Sequence, residues 1–121
     1  MGIRDYKELK VWQKSMELVK SIYRLTKLLP KEETYALSDQ MRRAAVSIPS
    51  NIAEGYDRKT DKELIHFLSV ARGSCAELET QMLIARDLGY FSGNESDKPM
   101  VLCTETRRML NSFISIVNKE L

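Results

Sequence analysis

Apolar residues recur at intervals of three and four along four stretches of this chain, and a proline, a glycine or a polar cluster closes each stretch. That spacing is helical, and no alternating strand pattern competes with it. It predicts helices over about residues 6–28, 34–54, 61–88 and 96–120. Leu29-Pro30 breaks the first, and Gly55 is read as the C-terminal cap of the second. Thr60-Asp61-Lys62-Glu63 has the form of a capping box opening the third helix, which Gly89 ends. The fourth is expected to begin near Ser96, with Pro99 in its first turn. Three short connections make successive helices antiparallel neighbours. The expected fold is therefore all-α, an up-down-up-down four-helix bundle formed as one domain over residues 1–121.

The second helix is the most unusual. Leu37, Met41, Ala44, Ala45, Ile48 and Ile52 share one face, the stripe of a core helix. Beside them Gln40, Arg43, Ser47, Asn51 and Glu54 fall within roughly 80° of arc, as a helix advancing about 100° per residue places them. Such a polar seam is partly desolvated when helices pack, so its members need partners. Glu63, Ser74, Glu77 and Gln81 form a second seam on the third helix, and Arg43 is expected to pair with an acid such as Glu77 or Glu79, within the bundle or across subunits. Pro49 lacks the amide that would bond the Ala45 carbonyl, which predicts a kink or break there.

The first helix carries two apolar rows, Trp12, Met16, Val19 and Tyr23 beside Val11, Leu18, Ile22 and Leu29. Together they are wider than one core contact needs, which implies burial against a second subunit as well. The rest of that helix carries Lys7, Lys10, Lys14, Lys20, Arg24 and Lys27.

Charge alters the picture through its distribution. The chain's formal net charge is only +2, yet residues 1–30 hold seven basic against three acidic side chains. A cationic helix face is either ordinary solvated surface or a phosphate-binding footprint, and repetition in an oligomer favours the second. Lys10, Lys14, Arg24, Lys27 and Arg42 are the expected nucleic-acid contacts. The rival expectation is an oligomeric scaffold that binds a protein partner and no nucleic acid.

Catalysis finds little support. Glu63-Leu64-Ile65-His66 has the Glu-x-x-His spacing of di-iron bundles, but such a site needs a second copy and His66 is the chain's single histidine. No serine or cysteine has a histidine close in sequence, and no glycine-rich phosphate loop is present. No enzymatic activity, cofactor or metal is expected. A charged opening segment and the lack of any long apolar run point to a cytoplasmic protein, with no membrane partner. Cys75 and Cys103 are then expected as buried free thiols.

Leu9-Lys10-Val11-Trp12-Gln13, the block from Gln40 to Gly55, and the run from Phe67 to Gln81 resemble the four-helix bundle family also called 23S rRNA intervening-sequence (S23) proteins. The resemblance covers nearly the whole chain in order. It implies a bacterial protein assembled as a barrel-like homopentamer. It also implies kinship with the accessory variability determinant proteins of diversity-generating retroelements, and so RNA or DNA and a reverse transcriptase as partners.

Overall fold

The computed structural model describes residues 5–121, in which four helices run in alternating directions. They are α1 (Lys10–Thr26), α2 (Leu37–Tyr56), α3 (Asp61–Asp87) and α4 (Gly93–Lys119). Each packs closely on two others, α1 and α3 both lying between α2 and α4, so the helices form a closed square. The cross-helix bonds give the register. Ser47 meets Ser74 and Gly55 meets Phe67, so positions on α3 fall as those on α2 rise. Cys75 with Cys103 and Arg72 with Asn111 show the same antiparallel order between α3 and α4.

The core is the set of apolar stripes that the spacing picks out. Leu18, Ile22, Met41, Ala45, Ile48, Ile52, Leu68, Leu78, Met82 and Leu110 are shielded completely or nearly so. On α1 the two rows part company: Val11, Leu18 and Ile22 are buried, whereas Trp12, Met16 and Val19 are half-buried and Tyr23 is exposed. The second row thus lies outside the core of this chain.

Several element ends depart from expectation, each with a local cause. Tyr6–Glu8 is a 3₁₀ turn capped by Asp5, which accepts from the Lys7 amide at 2.8 Å, so α1 starts only at Lys10. Residues Lys31–Glu33 form another such turn, and α2 begins at Leu37, where Glu33 Oε1 accepts the Leu37 amide at 3.3 Å. Helix α4 begins at Gly93 instead of near Ser96, because Ser92 and Glu95 form a complete capping box. Pro99 therefore sits in the second turn, buried, and not in the first. At the start of α3 the Thr60 hydroxyl accepts the Glu63 amide at 3.2 Å as expected, but the Glu63 carboxylate takes the Thr60 hydroxyl and not its amide.

Helix α2 also runs unbroken through Pro49, which is buried within it. Gly55 does not cap the helix either: α2 continues to Tyr56, and Gly55 lies buried inside it. Its role is steric. A Cβ at this position would stand 2.7 Å from the Phe67 Cβ and 3.3 Å from Leu64 atoms. Helices α2 and α3 meet there closely enough that only glycine fits. Just beyond, Arg58 spans the α2–α3 turn, donating to Glu54 at 2.7 Å and lying 4.8 Å from the Phe67 ring centre. At the opposite end Tyr90 donates to Glu33 Oε2 at 2.7 Å, joining the α1–α2 and α3–α4 connections. That bond raises the Tyr90 phenol above its ordinary pKa, since ionising it would place a phenolate beside a carboxylate.

Gly55→Ala should lower stability. The gain in helix propensity is about 1 kcal/mol, but overpacking typically costs about 1–3 kcal/mol and here involves a Cβ that cannot rotate away. A urea-unfolding midpoint at or above the wild-type value would mean that α2 and α3 can separate at this crossing.

Candidate nucleic-acid interface

Cations on α1 define the candidate surface. Lys10, Lys20, Arg24 and Lys27 are exposed, and none forms an ion pair among the described residues. Lys10 and Arg24 stand fourteen positions apart on one side of α1, about 21 Å at 1.5 Å per residue. That length matches about six base steps of a nucleic-acid strand. The row is not continuous, because exposed Glu17 lies between Lys10 and Lys20. The positive charge is therefore densest in the C-terminal half of α1.

Two of the expected contacts are partly occupied within the chain. Lys14 is half-buried and its Nζ lies 3.3 Å from Glu105 on α4, so it serves the α1–α4 contact. Arg42 is half-buried too. Its guanidinium sits 5.9 Å from the Tyr23 ring centre and donates to the Thr26 hydroxyl at 3.4 Å. The structure brings Arg24, Lys27, Arg42 and Lys20 to the same half of the molecule and leaves Lys10 at the other end of α1.

Some cations missed by sequence reasoning belong here. Lys98 on α4 lines a depression with Arg24, Leu28 and Glu95, and Arg108 faces Lys10 across a groove. Neither lies near α1 in sequence, so only the closure of the α1–α4 side reveals them. Tyr23 was also missed, having been read as one more apolar position. The available signal was its place three residues after Lys20 and four before Lys27, which makes them surface neighbours on a helix.

The polar seam divides into an inner and an outer part. Ser47 and Asn51 are half-buried: Ser47 Oγ lies 2.9 Å from Ser74 Oγ, and the Asn51 amide donates to the Ser47 carbonyl at 2.7 Å. Gln81 is buried as well, and its Oε1 has no hydrogen-bond partner among the described residues. Gln40, Arg43, Glu54 and Glu77 are exposed. Within the chain the expected pairing of Arg43 with Glu77 or Glu79 is not formed. Arg43 binds Asp39 at 3.0 Å, one turn back on its own helix, and its side chain is 80% exposed. Glu79 is bound instead by Arg107 from α4, at 3.0 Å. The reason is rotational: α2 and α3 cross through serines and glycine, so the longer seam side chains swing outward.

Elsewhere the chemistry is sparse. Exposed His66 lies edge-on to Phe67 with ring centres 5.1 Å apart, and among the described residues no three His, Cys, Asp or Glu side chains gather where they would hold an ion. Cys75 and Cys103 are buried free thiols at the α3–α4 contact, with Cys103 donating to the Cys75 carbonyl at 3.3 Å. A hydrogen bond between the two thiols, and then burial, push the Cys75 thiol far above its ordinary pKa. Among the described residues no helix is long and apolar enough to cross a membrane.

The 23S rRNA-intervening sequence protein family matches the chain over residues 7–112, from the opening turn well into α4. The chain belongs to that family. A crystal structure from Bacteroides thetaiotaomicron, of a protein of unknown function from the S23 ribosomal protein family, is similar with a TM-score of 0.80. The two are 27% identical, and the match covers 86% of this chain and 97% of that one. No curated protein matches the chain. The intervening-sequence family thus accounts for the four-helix fold, while the cationic face is read from these residues.

Two outcomes test this geometry. Arg43→Ala should leave thermal stability within about 0.5 kcal/mol of wild type, as expected for an exposed pair within one helix, and a larger loss would reveal a partner in the assembly. In the native protein at neutral pH, Cys75 should resist a thiol-reactive dye until denaturant is added, because only the thiolate attacks. Fast labelling of the folded protein would contradict the buried, protonated thiol.

Proposed function

We propose that this intervening-sequence family member is a non-enzymatic, homo-oligomeric accessory protein that binds RNA or DNA through the cationic face of α1. The observation that carries this reading is the set of exposed cations Lys10, Lys20, Arg24 and Lys27, all without an ion-pair partner in the described chain. Phosphate neutralisation by such groups releases condensed counterions, which makes the affinity electrostatic and largely independent of sequence. A ring of copies would repeat the face and multiply the contacts.

Oligomerisation is supported by the outer row of α1. Trp12, Met16 and Val19 line an open groove with Val46, Pro49 and Ala53 of α2, outside the core of a single copy. Covering such a groove with a second copy removes apolar surface from water. The pentameric barrel is taken from the family resemblance, and a cytoplasmic location goes with it.

One observation favours the rival reading, a scaffold for a protein partner. Leu9, Val11, Met109, Phe113 and Ile116 line a second groove between α1 and α4, with Lys10 and Arg108 at its edge. An apolar protein segment would suit it; by resemblance that partner would be a reverse transcriptase. The two readings differ in their response to salt.

Four phosphate contacts per copy imply a roughly hundredfold loss of affinity between 50 and 200 mM salt. Fluorescence anisotropy with labelled RNA and DNA should show that loss, and reversing Lys10, Arg24 and Lys27 to Glu should abolish binding while the helical signal persists. Light scattering should give a mass several times that of one chain. Absence of binding at 50 mM salt, or a triple variant that binds as wild type does, would overturn the nucleic-acid reading in favour of the scaffold.

A further inference from the structure

We infer that the cleft between α1 and α2 around Tyr23 receives an unpaired nucleobase from a bound single strand. This rests on the nucleic-acid reading above and narrows it to a strand type and a position. Tyr23, Asp39, Arg42, Arg43, Val46 and Ser47 line an open cleft of about 530 Å³. That volume lies within the roughly 300–1,000 Å³ typical of sites for small organic groups.

The lining has the parts a base requires. Tyr23 leaves 45% of its surface exposed and lines the cleft. Arg42 is held over its ring, 5.9 Å from the centre, and is steadied by the Thr26 hydroxyl. A ring with a guanidinium over it forms a platform on which a base can continue the stack, and every base has a face that can use it. Lys20 and Lys27 are the helical neighbours of Tyr23 on either side, placed for the phosphates that flank a stacked base.

Beside the two guanidinium groups, Asp39 gives the cleft an acceptor that a base can use. Its Oδ2 accepts from Arg43 at 3.0 Å, while no hydrogen bond reaches Oδ1 among the described residues. A carboxylate repels a phosphate but accepts a base N–H, and an amino group is the natural donor. A duplex cannot use the cleft, because its bases are already stacked and recessed between two backbones. Cytosine offers the Asp39 acceptor an exocyclic amino group, whereas uracil presents a carbonyl oxygen there and only its ring N–H to donate, which favours cytosine.

The test compares three probes of equal length by anisotropy: a twelve-nucleotide oligo(C), an oligo(U), and a mixed-sequence duplex. Wild type should bind oligo(C) more tightly than oligo(U). Tyr23→Ala should weaken single-strand binding about tenfold and leave duplex binding unchanged, whereas Tyr23→Phe should retain single-strand affinity. Asp39→Asn should narrow the difference between oligo(C) and oligo(U). Unchanged single-strand affinity in Tyr23→Ala, with wild-type binding to all three probes, overturns this inference alone. Equal losses on single strand and duplex, or a fall in oligomer mass by light scattering, would assign Tyr23 to a subunit contact and also overturn it. A wild type that binds none of the probes removes the nucleic-acid reading as well.

Discussion

The close approach of α2 and α3 governs the rest of this fold. Helix axes draw together only where side chains are short, and this contact is built on Ser47, Ser74 and Gly55, with Gly55 directly against Phe67. A Cβ at Gly55 leaves no room for the helices to meet, so the register of one on the other is set at that point. Once it is set, Ser47 reaches Ser74, Ile48 and Ile52 enter the core, and α1 and α4 are drawn onto the remaining sides. The short side chains also explain why the longer polar residues next to them turn outward.

Helical periodicity made the architecture legible. The stripe from Met41 to Ile52 and the row of Val11, Leu18 and Ile22 are buried as their spacing requires. Element ends were harder, since they depend on one or two side chains. Pro99 suggests a start near Ser96, but a proline in the second turn is tolerated, and the Ser92–Glu95 capping box sets the true boundary. Gly55 has the same appearance in sequence whether it caps a helix or admits a neighbour, and only the position of Phe67 decides.

The candidate surface was legible in part. Exposed cations on α1 follow from the side opposite its apolar rows. Lys14 and Arg42 were not separable from them, because Glu105 and Tyr23 become their neighbours only when the bundle closes. The expected Arg43 pairing failed for a related reason. A helix wheel gives the direction of a side chain but not the distance of the next helix, and Asp39 one turn away was the nearer acid. For the same reason Lys98 and Arg108 came to light only in three dimensions.

The hydrogen bond from Tyr90 to Glu33 fastens two chain crossings that are far apart in sequence. Both hairpins of the bundle are therefore tied at the end where Arg24, Lys27 and Lys98 stand. A charged surface carried on backbone that is already fixed loses less freedom when a polyanion settles on it than one carried on a loop would. The clasp adds no cation of its own, only the Glu33 carboxylate. Its contribution is mechanical: it holds the cationic residues beside it at a constant spacing.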